Sequence, residues 1–528
     1  MQVIFNFSRH FLIMIFLIFI QEKMHAQQKL IPLGRFYSQE IERAMLRDSS
    51  FSFHNGSRPF LESDFDFGNV FVLNKDTSKY KSGLGQKLFT SHLFEIKKDD
   101  FFLAMDPLFD FTLGKDLADT SAFGAQKMMT NQRGVQLIGD IGNKFSFQTC
   151  FYETQIVVPM YLKTYSDSLG IFPGWGRTKD YNGKGYDFGV SQGWISYRPN
   201  QNLHFQFGNG KNFYGHGYRS VLWSDAAFSY PYIKATYQFA ENKLQYSAMY
   251  ASLQTLERLP RGEVPEALFK RKGASVHYLS FKPTAALEIG IYESIIWERY
   301  DSTGTRPQPY GAFIPVIGVN TAIQGMSGKQ NAMLGMNAAL KISRHARIYA
   351  QFGVDDFKND RFAWQAGFKY FDLGLKNLDV QIEWNNIGDY FYASQYELQS
   401  YSHFNQPLGH PTGPSTNEIL VILNYRYNRL FAQLKVNQLM HSTGTEGDWS
   451  SDPENVVEYF EAWPQKTVLQ ADAEIGVLFN PKTNFQILAG YTNRRETIDY
   501  NHVEDVKGQT SFLYLALRTN LINRYADF

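Results

Sequence analysis

The run Leu378-Asp379-Val380-Gln381-Ile382-Glu383-Trp384-Asn385 alternates apolar and polar side chains without a break. In an extended chain successive side chains point to opposite faces, so Leu378, Val380, Ile382 and Trp384 share one face and Asp379, Gln381, Glu383 and Asn385 the other. A strand with hydrocarbon on one side and water on the other requires that pattern. It recurs where Leu430, Ala432, Leu434 and Val436 alternate with Gln433, Lys435 and Asn437, and where Ala285, Leu287, Ile289 and Ile291 alternate around Glu288 and Tyr292. Phe485, Ile487, Ala489 and Tyr491 repeat it, as do Leu513, Leu515 and Leu517 among Tyr514, Ala516 and Arg518.

The connections between such strands alternate in length. Tight turns are marked by Gly142-Asn143, Pro199-Asn200, Glu241-Asn242, Lys282-Pro283-Thr284, Ser343-Arg344-His345, Asn428 and Asn480-Pro481-Lys482, the residue types that turn chemistry favours. Between them lie long connections, among them 158 to 188, 209 to 229, 298 to 329, 388 to 416 and 441 to 465. Short periplasmic turns and long extracellular loops are the signature of an outer-membrane barrel. Counting back from the end to Phe101 predicts about eighteen strands, with one exception at 356 to 360, where a short connection stands in place of a long loop. The predicted fold is therefore all-β: a transmembrane antiparallel barrel over 101–528. A terminal strand that closes on the carboxy-terminal aromatic Phe528, after Tyr525, is expected, the form in which barrels present themselves for insertion.

Composition agrees. Of 528 residues 16% are aromatic, yet the mean hydropathy of -0.34 is too polar for a bundle of membrane helices; alternating strands average their hydropathy away. Lys and Arg number 52 against 51 Asp and Glu, which leaves no cationic surplus for nucleic acid. Residues 1–26 read as a signal peptide, since Arg9 and His10 precede the apolar run Phe11 to Ile20, too short to span a bilayer, and cleavage is expected after Ala26. The single Cys150 has no internal disulfide partner. Residues 27–100 do not alternate; Phe36, Ile41, Ala44, Met45 and Leu46 recur at helical spacing among charges, which predicts a short amphipathic helix in a periplasmic segment, placed against the lower rim of the barrel.

Catalytic and metal signatures are thin. Gly189-Val190-Ser191-Gln192-Gly193 matches the nucleophile-elbow pattern, but Trp194 to Tyr197 continue as strand where a helix is needed; an outer-membrane phospholipase would require a histidine beside Ser191 on the outer wall. The histidines are scattered with no paired spacing, and Asp355-Asp356 and the stretch 448–455 lack the ligand order of a calcium loop. No cofactor or metal is expected. The loop containing Tyr161, Tyr165, Phe172, Trp175, Tyr181 and Tyr186 mixes rings with Asp167, Arg177, Asp180 and Asn182, as sugar-binding surfaces do; packing within the loop explains it equally well.

The runs Gly217-Tyr218-Arg219-Ser220 with Ser224-Asp225 and Tyr232, and Asn405-Gln406-Pro407-Leu408-Gly409-His410-Pro411, resemble the Wzi-type capsule-assembly proteins, most closely the branch called gliding motility protein RemB. Also similar are Arg58-Pro59-Phe60 after His54, Asp106-Pro107, Glu383-Trp384-Asn385 and the ending from Asn520-Leu521 through Asn523-Arg524-Tyr525 to Asp527-Phe528. The resemblance implies an eighteen-stranded barrel with a small helical periplasmic part, located in the outer membrane. It implies a non-enzymatic role in attaching or organising surface polysaccharide or in gliding, with lipid, surface polysaccharide and motility or secretion machinery as partners. Carried onto this chain, it selects Arg219 and Asp225 in one loop, with Glu383 and His410 at or above another strand end. Arg219 would pair with acidic sugars, Asp225 would fix its fork, and His410 would shape its loop. His216 stands where an acidic residue is expected. The competing reading is a passive diffusion channel, which depends on whether inward residues such as Tyr292, Arg426 and Phe431 leave the lumen open.

Overall fold

The computed structural model describes residues 28–48, 53–65, 82–259, 269–301, 304–306, 308–328, 330–442, 464–499, 505–519 and 521–528. The expected signal segment and the stretch 448–455 lie outside them. Eighteen antiparallel strands close into a barrel. Closure is made by the first wall strand, Phe101–Asp116, pairing with the last, Val506–Thr519, in a register that sets Leu515 opposite Leu113. Closure leaves no strand at an open edge of the wall, the condition for crossing hydrocarbon. That closed wall, with its outward apolar band, places the protein in the outer membrane.

The alternation sorts as the sequence predicts. In the strand Leu378–Ile387, Ile382 and Trp384 are each 44% exposed on the outer face, while Asp379, Glu383 and Asn385 are buried in the lumen. Leu434, Ile487 and Leu515 face outward in the same way, and Tyr292 inward. Tight turns sit where expected: Asn428, at φ 53°, makes the link from Tyr427 to Leu430, a left-handed position that Asn tolerates at little cost. The short link between Asp356 and Arg361 is present too.

The interior differs from the expectation. The connections 211–229 and 388–415 do not stand above the membrane but fold down into the barrel, burying Phe213, Tyr214, Val221, Leu222, Trp223, Phe391, Tyr392 and Leu408. Wall residues Tyr278 and Tyr292 meet Tyr214 with ring centroids 5.4 and 5.7 Å apart. The physical reason is that these connections are too apolar to be solvated, and the lumen is the nearest place where they can be covered.

Two further segments join them. Strand pairing ends at Thr519, and residues 521–528 turn back into the lumen, so Phe528 does not close a strand as the sequence reading expected; it packs on Tyr165 with ring centroids 4.4 Å apart. The helix Arg35–Arg47 is also inside the barrel's periplasmic mouth rather than beneath its rim. Arg43 ion-pairs with lumen-facing Asp379, Arg35 donates to Gln381 at 2.8 Å, and Glu42 accepts from Lys369 at 2.6 Å. Beyond the helix, Ser57–Arg58 pairs with Phe213–Tyr214, knitting the amino-terminal segment to the first inward loop.

Candidate functional site

The candidate residues are brought together by three segments meeting one wall. Glu383, expected at or above a strand end, projects instead into the lumen midway along Leu378–Ile387 and accepts the backbone N–H groups of Tyr218 at 2.8 Å and Arg219 at 2.9 Å, together with the Tyr349 hydroxyl at 2.7 Å. This holds the turn Gly217-Tyr218-Arg219 so that the Arg219 side chain points across the lumen. Its guanidinium donates from Nε and Nη2 to both oxygens of Glu418 at 3.1 and 2.7 Å, a bidentate fork. Its Nη1 reaches Asp527 at 3.0 Å. Asp527 also receives Lys435 at 2.8 Å and the Tyr218 hydroxyl at 3.1 Å.

His410 completes the cluster, with Nε2 2.9 Å from the second oxygen of Glu418. A carboxylate can only accept, so Nε2 carries the proton, and Nδ1 accepts the backbone N–H of Thr412. Burial, outweighing the attraction of Glu418, lowers the His410 pKa and keeps the ring neutral. Asp527 is held below the usual carboxylate range because, against burial, Arg219 and Lys435 favour its charge. Arg219 responds in the opposite sense: burial disfavours its charge, but Asp527 and Glu418 raise its pKa well above the ordinary value.

Thus Arg219, Glu383 and His410 converge, and Asp225 does not join them. It accepts from the Tyr525 hydroxyl at 2.6 Å and the Asn523 amide at 2.9 Å, anchoring the segment after the last strand. The expected pairing of Asp225 with the Arg219 fork is corrected: Glu418 and Asp527 hold it. Neither was singled out as a partner from sequence, although Glu418 falls on the inward phase of its strand and Asp527 within the family-like ending. His216 meets Arg347 at 3.2 Å through Nδ1, and its carbonyl accepts from Lys369. Burial and then these neighbouring cations keep its pKa well below the ordinary value. Arg219, Glu383, His410 and Glu418 are at most 1% exposed and their donors and acceptors meet one another. The cluster therefore fixes the interior, tying both inward loops and the returning segment to the wall.

Beside the returning segment runs a cavity of about 350 Å³. It is bounded on one side by Ile522 to Ala526, below by Arg35 and Phe36 of the helix, and across by the inward faces of the last wall strands, including Asp472, Glu474 and Arg518. Of the ring-rich loop, Phe172 and Trp175 pack on Phe188 with centroids 5.5 and 5.7 Å apart, so packing accounts for these two. Ser191 lies on the outward face of its strand opposite Phe151, with no histidine beside it in the register. Among the described residues no group of His, Cys, Asp and Glu converges as metal ligands would.

No family model and no curated protein matches this chain. Among solved structures the fold is similar to Wzi, an outer-membrane protein involved in group 1 capsule assembly in Escherichia coli and described as a carbohydrate-binding β-barrel. The TM-score is 0.55 at 11% identity, covering 93% of this chain and 99% of that one. Pseudomonas aeruginosa OprD is matched at TM-score 0.41 and 9% identity over 79% of this chain and 94% of that one, and OpdK of the same organism at 0.44 and 9% over 79% and 98%. At such identities the likeness is one of fold: a closed outer-membrane barrel.

Proposed function

We propose that this chain is a non-enzymatic outer-membrane barrel that attaches or organises surface polysaccharide. The observation that carries the reading is the filled lumen. Two inward loops, the returning segment and the amino-terminal helix occupy lumen space that a diffusion channel leaves to water, apart from the cavity beside the returning segment, and the ion cluster around Arg219 locks the loops and the returning segment there. A barrel built this way serves as a rigid platform rather than a hole. Its likeness in fold to a carbohydrate-binding barrel agrees with that use, and the lack of a histidine beside Ser191 in the register speaks against lipase chemistry. Support of gliding and contact with motility or secretion machinery, implied by the sequence resemblance alone, form the narrower part of the same proposal.

The test is a deletion strain examined for cell-associated against shed glycan, with the wild-type gene returned as control, alongside a glycan array probed with the detergent-solubilised barrel. Increased shedding and a glycan signal are expected. An unchanged glycan layer together with a blank array would remove the reading, and large steady single-channel currents would put the diffusion channel in its place. A spreading assay on the same strain decides the gliding part.

A further inference from the structure

We infer that the cavity beside residues 522–526 is a binding site for an acidic oligosaccharide, with Arg35 as the group that takes the sugar carboxylate. This rests on the polysaccharide reading above and adds to it a place and a ligand class. The cavity is long rather than round. Gln470 and Leu478, eight residues apart on the strand Gln465–Asn480, both line it, which corresponds to roughly 27 Å at about 3.4 Å per residue. A volume near 350 Å³ falls within the range of small-ligand sites, about 300–1,000 Å³, and that elongated form suits a chain of sugars better than a compact solute.

The chemistry of the lining selects the charge. Cationic side chains outnumber carboxylates around the cavity, and most are already paired: Lys435 with Asp472 at 3.1 Å, Arg518 with Glu474 at 2.9 Å and Arg426 with Glu40 at 2.7 Å. Arg35 is the exception. It donates from Nη2 to Gln381 and lies 5.0 Å over the Tyr218 ring, but among the described residues it has no carboxylate within ion-pair distance, and its Nη1 is buried with no hydrogen-bond partner. A buried guanidinium donor left open is costly, and a carboxylate offering two acceptors would satisfy it. Phe36, Phe431 and Tyr514 also line the cavity and supply ring faces on which the apolar side of a pyranose can lie. Carboxylate and pyranose ring together describe a uronic acid within an oligosaccharide.

The experiment titrates the detergent-solubilised full chain with tetragalacturonate and, separately, with neutral maltotetraose by calorimetry. Tetragalacturonate should bind more tightly, and more weakly as salt rises. Arg35→Gln should weaken it about tenfold or more, the scale of a lost charge-assisted hydrogen bond, and should weaken maltotetraose less, so that the preference for the acid shrinks. Thr130→Trp, which fills the cavity from the opposite wall, should abolish both. Heat-modifiable migration on a gel verifies that each variant is folded. Undiminished tetragalacturonate binding in both folded variants would place the acid elsewhere on the barrel, and no binding by the parent would remove the site; either result overturns the assignment. The broader reading stands or falls separately, on glycan shedding by the deletion strain.

Discussion

The Arg219 guanidinium and the Asp527 carboxylate meet at 3.0 Å in the middle of the barrel although 308 positions separate them in the chain, and neither side chain is exposed. Arg219→Ala would leave Asp527 and Glu418 facing each other without their shared cation. Breaking one side of a buried pair costs about 3–5 kcal/mol. The variant should lose the folded gel form at a markedly lower temperature than the parent, with or without any glycan present. Unchanged heat-modifiability would mean that the cluster does not hold the interior.

The wall register makes a sharper demand. Leu434 is 40% exposed toward lipid, whereas its neighbour Gln433 turns inward and donates to Asn424 at 2.6 Å. Leu434→Arg should cost about 2–4 kcal/mol if it lies near the bilayer midplane, and Gln433→Arg should be tolerated. Equilibrium unfolding in vesicles reads the difference. A reversed order would mean a slip of one residue, since every side chain then changes face.

Conductance tests the filled lumen. The parent should show little steady current in a planar bilayer. Asp527→Arg sets a third cation beside Arg219 and Lys435, which should expel the returning segment and raise the current while the wall stays closed. Equal currents from the two proteins would show that residues 521–528 do not obstruct the path.

Acid provides an independent handle on the same segment. The Asp527 carboxyl is held below its ordinary value in the folded state, where burial is outweighed by Arg219 and Lys435. Its stabilising contribution is therefore complete above the unfolded value of about 3.9 and disappears as pH falls through the lower folded value. The parent should lose heat-modifiability in strong acid, and Asp527→Asn should flatten that part of the profile. An identical acid limb in both would assign the transition to other carboxylates.

The wall was legible because its rule is local: Leu378 to Asn385 state their own orientation through the period of the pattern, and Asn428 states its own turn. The interior was not, because whether 211–229 and 388–415 rise into water or drop into the lumen depends on what waits there. That is set by Tyr278, Tyr292 and Glu383 on strands remote in sequence. Resemblance selected Arg219, Glu383 and His410, which do meet, but misread the grouping, since Asp225 serves Tyr525 and Asn523 instead. A pairing such as Arg219 with Asp527 leaves no trace in spacing. Arg35 was passed over because a cation near the start of an amphipathic helix looks solvated until the helix is seen inside the barrel.

The position of residues 521–528 has a consequence for how the molecule is made. They follow the strand Val506–Thr519, whose pairing with Phe101–Asp116 is the seam of the barrel, so the chain end that closes the wall also carries Asp527 into the interior. Without Asp527, Arg219 has one of its two carboxylates and Lys435 has Asp472 alone. One chain end thus serves both seam and centre, and a barrel in which residues 521–528 are not seated carries an electrostatic penalty that the finished one lacks. Pairings of such sequence separation are slow to form, and this chain end makes one in the wall and another in the core.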